Sequence, residues 1–326
     1  MKKTSPRKPK TPFKQNALRV KEPVELMGFL AFHFSGKSRT ALKSMLSNKL
    51  VCVNGKPVSR FNHVLQVGDA VTVNSGQISY ELKHPKVKIV FEDDYLIVIE
   101  KSEGLLAVAT DEKKNETTAF TILSNYLKKR DPRNRLFVVH RIDRETSGLI
   151  MYAKTKEVQL KLQDGWHQNI DERVYIALVE GLVEKEEDTI VSYLRESRAF
   201  KIHSSQQQTD GVEAITHYRV MRKSAHYSML KVELETGRKN QIRVHMQEIG
   251  HPIIGDKKYG ANISPIGRMG LHARVLAFNH PITKEPLRFE TAIPKKFNGL
   301  IISDVEEKVV EKVGAPRNVN KPVKKK

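Results

Sequence analysis

The stretch Val139-His-Arg-Ile-Asp-Arg-Glu-Thr-Ser-Gly-Leu-Ile-Met-Tyr-Ala-Lys154 is the centre from which this chain can be read. A strand ending in Val138-Val139 runs into a polar loop, and at Gly148 the chain returns to a second strand, Leu149–Ala153. The loop carries Asp143 among Arg141, Arg144 and Glu145. By pattern alone, a carboxylate between two arginines is a loop ion pair. What surrounds it in the chain decides whether it is more.

Outward from the loop the pattern is mostly that of strands. Lys88-Ile-Val-Phe and Tyr95-Leu-Ile-Val-Ile flank an acidic turn at Glu92-Asp93-Asp94. Arg173-Val-Tyr-Ile-Ala-Leu-Val-Glu, Ser228-Met-Leu-Lys-Val-Glu-Leu and Leu287-Arg-Phe-Glu-Thr alternate with a period of two. Helical spacing is rarer, at Thr117–Lys129, Thr155–Gln168 and Asn240–Ile249. Strands outnumber helices without regular βαβ alternation. The expectation for residues 87–300 is an α+β domain with a mainly antiparallel, mixed sheet.

A smaller unit is expected over residues 23–76. Ser38-Arg-Thr-Ala-Leu-Lys-Ser-Met-Leu begins with capping residues and places Leu42, Met45 and Leu46 on one helical face. Asn54-Gly55, a favoured hairpin turn, sits between Val51-Cys-Val and Lys56-Pro-Val, and Val67-Gly-Asp-Ala-Val-Thr-Val closes the unit. Arg39 and Lys43 share the helix face away from Leu42 and Leu46, with Lys37 and Lys49 flanking. Alone, such a row is a wet face. Residues 77–86 read as a linker. Residues 1–22 hold eight lysines and arginines against one acid, which predicts a disordered basic arm, and residues 301–326 read as a basic flexible tail.

The 57 Lys and Arg against 37 Asp and Glu give a net charge of +20, and a chain so basic is expected to meet a polyanion. No apolar run approaches the ~18 residues of a membrane span, and no apolar core follows the charged N-terminus as in a secretory signal. The single cysteine, Cys52, allows no internal disulfide and no cysteine-based zinc site, which fits a soluble protein of the reducing cytoplasm. There is no Walker loop, no dinucleotide glycine pattern and no His-Glu-x-x-His. His140, His245, His251, His272 and His280 are scattered and read as structural, so no metal is expected.

The order His140-Arg-Ile-Asp143, then Thr146-Ser-Gly-Leu149, resembles the catalytic motif of the RluA-type pseudouridine synthases. Three further segments resemble that family in the same order. Phe91-Glu-Asp-Asp-Tyr-Leu-Ile-Val-Ile-Glu-Lys-Ser-Glu-Gly is similar to its opening hairpin, with Ser102 where a proline is usual. Arg173-Val-Tyr-Ile-Ala-Leu-Val-Glu-Gly resembles the strand with an active-site tyrosine, here Tyr175. Leu234-Glu-Thr-Gly-Arg-Lys-Asn-Gln-Ile-Arg-Val-His resembles the segment with a basic partner, here Arg243. At Lys239-Asn240 a Thr-His pair is commoner. Gly250-His-Pro-Ile-Ile-Gly-Asp-Lys-Lys-Tyr-Gly and Leu271-His-Ala match as well. Upstream, Gly36-Lys-Ser-Arg-Thr, Val53-Asn-Gly-Lys and Gly68-Asp resemble the S4 RNA-binding domain, so the likeness runs from Pro23 to Leu300.

The resemblance implies that a uridine within RNA becomes its C5-glycoside isomer, with no metal or organic cofactor. It implies Asp143 as nucleophile or as the group that starts bond cleavage. Arg243 would oppose the rise in pKa that desolvation brings to Asp143, and fix its direction. Tyr175 would lie under a uracil taken out of its stack, and Arg141 would fill the gap or hold a phosphate. His140 and Thr146 would shape the loop. The S4 edge, with Lys37, Arg39 and Lys43, would dock on RNA phosphates. The target is expected to be a large structured RNA such as large-subunit ribosomal RNA, with transfer RNA left open; no protein partner is implied and the chain is expected to be a monomer. Two rivals stand beside this reading. A non-catalytic RNA-binding protein is opposed by the intact Asp143, Tyr175 and Arg243. A glycosidase-like enzyme is opposed by the lone carboxylate, since glycoside hydrolysis usually uses a pair.

Overall fold

Leu26, Leu30, Leu42 and Leu46 recur at helical spacing and are buried in the core of the first of two units, residues 1–81 and 82–326. The computed structural model describes residues 17–47, 49–73, 81–109 and 116–302. The first unit runs β1 (Leu18–Arg19), β2 (Val24–Glu25), α1 (Leu26–His33), α2 (Arg39–Ser47), β3 (Val51–Val53), β4 (Lys56–Pro57), β5 (Val64–Leu65) and β6 (Ala70–Val73). Its strands order as β1-β6-β3-β4, with β2 paired to β5. Asn54 (φ 50°) and Gly55 (φ 78°) make the β3–β4 turn in the left-handed region that such a turn requires. Asn54 also reaches across to Asp69, donating to its Oδ1 at 2.7 Å.

One expectation is corrected here. Leu18–Arg19, within the segment expected to be a disordered arm, pairs with Ala70–Val71, and Val20 is buried. Leu18 and Val20 have the two-residue period of a strand, which the surrounding charge concealed. Residues 1–16 of that arm lie outside the described residues.

The second unit follows as β7 (Val87–Glu92), β8 (Leu96–Lys101), α3 (Ala119–Arg130), β9 (Phe137–Val138), β10 (Ser147–Ala153), α4 (Lys156–Asp164), α5 (Trp166–Asn169), β11 (Ile170–Glu180), β12 (Glu187–Glu196), β13 (Ile202–Ser205), β14 (Val212–Lys223), β15 (Tyr227–Leu234), α6 (Gln241–Glu248), β16 (Leu271–Asn279) and β17 (Pro286–Glu290). The strands form one sheet in the order β13-β12-β14-β15-β11-β16-β10-β8-β7, with β17 beside β16 and β9 beside β10. Its described pairings are antiparallel except β10 with β16, so this is the α+β, antiparallel-rich mixed sheet expected.

The middle of the sheet is covered on both faces. Ala177, Val179, Leu230 and Val232 pack on Ile242 and Met246 of α6, while Ile176, Leu178 and Met229 pack on Ile254, Phe297 and Ile301. This two-sided burial explains the unbroken apolar run Ile176–Val179 within an otherwise alternating strand. Thr118 and Thr155 cap α3 and α4 through the backbone N–H groups of Thr121 and Val158, so each helix starts just after its threonine. The expected tail also starts later than predicted. Residues 295–302 are helical, and Ile301 is a buried core residue. The end of the expected linker belongs to the second unit, where His84 bridges Val87; residues 74–80 lie outside the described residues.

Candidate active site

The loop bearing Asp143 is held from several directions. His140 Nε2 accepts the Met151 N–H at 3.1 Å, and the Thr146 N–H closes a turn onto the Asp143 carbonyl at 3.2 Å. Gly104 N–H donates to the Arg144 carbonyl at 2.9 Å. The fully buried Lys101 donates to that same carbonyl at 3.1 Å, and to those of Ser102 and Leu105. Burial pushes the Lys101 ammonium down to about 7, against the pull of Glu145 and Asp143. Beneath the loop, a Cβ on Gly148 (φ 114°) would lie 2.1 Å from the Ala273 carbonyl oxygen; only glycine lets β10 approach β16 so closely.

Asp143 is not a loop ion pair. Arg144 turns to Glu116, with Nη2 on Oε2 at 2.7 Å, and Arg141 is exposed. The carboxylate instead accepts from Arg243 Nη1 at 3.1 Å. Arg243 leaves α6, whose start is anchored by buried Gln241: its Oε1 accepts from Thr236 and from the Arg238 N–H, and its amide donates to Ile215 and Thr216. Arg243 forks onto Asp256, Nε to Oδ2 at 2.6 Å and Nη2 to Oδ1 at 2.8 Å, and Nη1 also donates to Asn240 Oδ1 at 3.0 Å. Burial by itself would lower the Arg243 pKa, but the Asp256 and Asp143 carboxylates more than offset it and hold the guanidinium above its usual range.

The result is a row of acid, arginine and acid that is closed at one end. The Asp256 side chain is 1% exposed, that of Arg243 12%, and that of Asp143 25%. Asp143 therefore is the end that faces a cleft of about 60 Å³, lined also by Arg141, Thr146, Tyr175, Arg238 and Asn240. Tyr175 stands on β11 opposite Val232 and Ala273, where a bulge against β16 leaves Arg274 without a partner in the ladder. Burial raises the Tyr175 pKa, so the phenol is neutral at ordinary pH.

The profile of the RNA pseudouridylate synthase family matches residues 95–248, a span that includes Asp143, Tyr175 and Arg243. The ribosomal large subunit pseudouridine synthase D of Haemophilus ducreyi is 30% identical over 312 residues, which cover 88% of this chain and 94% of that protein. The chain belongs to the RNA pseudouridine synthase family. A protein of the same name from Nitrosomonas europaea is 33% identical over 279 residues, 81% of this chain and 79% of that one. The fold agrees too: human RNA pseudouridylate synthase domain containing 4 superposes with a TM-score of 0.55 at 21% identity, covering 67% of this chain and 92% of that one. As an RNA pseudouridine synthase the chain is an isomerase that acts on RNA. The non-catalytic and glycosidase readings fall with that membership.

Of the residues singled out in the sequence of this synthase, Asp143, Arg243, Tyr175 and Arg141 share the cleft. Lys37, Arg39 and Lys43 are exposed on the first unit, and the Lys43 ammonium lies 5.5 Å from the centre of the Phe61 ring. Two partners escaped the sequence reading: Asp256, inside the matching segment Gly250–Gly260, and Asn240, at the departure from Thr-His. Their signals were the single acid of that segment and that departure itself. The five histidines are all bonded to protein groups. His245 sits between Ser192 and Thr216, His272 between Ser147 and Thr291, His280 on Asp93, and His251 on the Glu180 carbonyl. No helix among the described residues is long and apolar enough to cross a membrane.

Proposed function

We propose that this synthase isomerises specific uridines of large-subunit ribosomal RNA. Asp143 is the carboxylate that starts cleavage of the N1–C1′ bond. Arg243 is its fixed counter-charge, and Tyr175 is the ring beneath the extruded uracil. The observation that carries the reading is the row Asp143–Arg243–Asp256, which holds one carboxylate aimed into the cleft and keeps its counter-charge from moving. A target base must leave its stack to reach Asp143, and Arg141, exposed at the cleft mouth, meets the backbone of the flipped nucleotide.

The isomerisation balances by itself. N1–C1′ breaks and C5–C1′ forms; C5 loses a proton and N1 gains one. Neither oxidant, reductant nor water enters the sum, so the reaction needs no cofactor. What it needs is a carboxylate held close to the sugar, and the adjacent guanidinium of Arg243 fixes the direction of Asp143.

The name shared by the two relatives, ribosomal large subunit pseudouridine synthase D, supports ribosomal over transfer RNA as substrate. The first unit serves as an S4 domain, with Lys37, Arg39 and Lys43 on RNA phosphates; such contacts position an RNA and say little about its sequence. The synthase works as a monomer in the cytoplasm.

The test uses ribosomal and transfer RNA transcripts tritiated at uridine C5. Wild-type protein should release tritium from ribosomal RNA, and Asp143→Asn should release none while still retaining the RNA on a filter. Release from transfer RNA alone would overturn the substrate. Undiminished release by Asp143→Asn would overturn the role of Asp143.

A further inference from the structure

We propose that Lys258 and Lys201, both set against the ring of Tyr259, clamp a backbone phosphate of the RNA beside the target nucleotide. The proposal rests on the RNA-isomerase reading above. Tyr259 is 1% exposed, and three cations surround its ring: Arg243 at 4.9 Å from the centroid, Lys201 at 5.7 Å and Lys258 at 5.8 Å. Its hydroxyl accepts the Ile202 N–H at 3.1 Å and an Asn240 amide hydrogen at 2.9 Å, and Asn240 in turn accepts from Arg243. One buried ring thus joins the edge strand β13, the turn that follows Asp256 and the start of α6.

The three cations are not alike. Arg243 is matched by Asp143 and Asp256. Among the described residues neither Lys201 nor Lys258 has a carboxylate within ion-pair distance, and Glu196 nearby is taken by Lys239. A tyrosine face offsets only a small part of the repulsion between cations, so the ring leaves most of it standing. Lys258 is exposed, and its one described bond, to the Phe200 carbonyl at 2.8 Å, leaves two N–H groups open. Burial first, then the charges of Arg243 and Lys239, hold that ammonium below its usual range, while Asp143 and Glu196 pull the other way. A phosphodiester completes such a cluster: it is an anion at every working pH, and a flexible ammonium meets it as a point charge without demanding one orientation. Arg243 packs on the same Tyr259 ring and bonds Asp143, which assigns the bound phosphate to the strand entering the cleft.

The test compares wild type with Lys258→Ala, Lys201→Ala, the Lys258→Arg rescue, and Lys257→Ala, which removes an equal charge from the same turn. Dissociation constants by filter binding and KM by tritium release are read over a range of salt. Lys258→Ala and Lys201→Ala should each raise both constants about fivefold or more and flatten the log–log salt slope by about 0.7–0.9 for one lost phosphate contact. Lys258→Arg should restore most of the affinity, and Lys257→Ala should do much less than Lys258→Ala. Equal effects of Lys257→Ala and Lys258→Ala would overturn the clamp. Absence of tritium release by wild type would instead count against the functional reading, because the binding arm still measures the clamp.

Discussion

Asp143 and Arg243 stand one hundred positions apart in the chain and meet through one hydrogen bond of 3.1 Å, the open end of a guanidinium whose other nitrogens are locked by Asp256. Arg243 cannot follow Asp143 if the loop shifts. Direction is imposed on the carboxylate from below, by a pair more buried than itself.

Asp256→Asn keeps the shape of that lock and removes its charge. Losing one partner of a buried ion pair costs about 3–5 kcal/mol, so thermal unfolding should move down by many degrees. Turnover should fall more than tenfold with RNA affinity nearly kept. Arg243→Lys should be worse in turnover, about a hundredfold, because an ammonium lacks the fork that spans two carboxylates. A near-wild-type rate in Arg243→Lys would sink the positioning argument.

Gly148→Ala should destabilise the second unit by about 3 kcal/mol or more, because its methyl would meet the Ala273 backbone at 2.1 Å in a left-handed conformation. Gly299→Ala is the contrasting case. It lies in the helical residues 295–302 with nothing within 4 Å of its Cβ, so it should stabilise by up to about 1 kcal/mol. Urea denaturation of both variants measures the difference, and equal shifts would refute the close approach of β10 and β16.

Three histidines set a pH dependence. Burial lowers His140 to about 3, and His245 and His272 to about 4. The unfolded chain binds these protons near pH 6.5 and the folded chain does not, so stability rises with pH across that interval. The unfolding free energy should therefore drop by several kcal/mol between pH 7 and pH 5, mostly above the range where carboxylates titrate. A flat urea midpoint over that window would mean that these rings take up protons without unfolding.

What could be read without the structure was local. Asn54-Gly55 announces its turn because few other pairs tolerate two left-handed residues, and Thr118 and Thr155 announce helix starts because their hydroxyls satisfy nearby N–H groups. The motif around Asp143 was legible for the same reason: strand, loop and strand lie within the seventeen residues Phe137–Ala153. Leu18 and Val20 were missed because their period is two residues long and set in a basic run.

The sequence by itself determined the family and the α+β class, since each is written in short, ordered runs of residues. The resemblance named Arg243 as the partner of Asp143; only the tertiary structure decided what holds that arginine in place, the Asp256 carboxylate on two of its nitrogens. Arg141 and Arg144 are neighbours of Asp143 in the chain, yet one is exposed and the other pairs with Glu116, while Arg243 arrives from a helix packed on the sheet. An ion pair depends on distance and on the polarisability of its surroundings, and both are set by strand order and burial rather than by position along the chain.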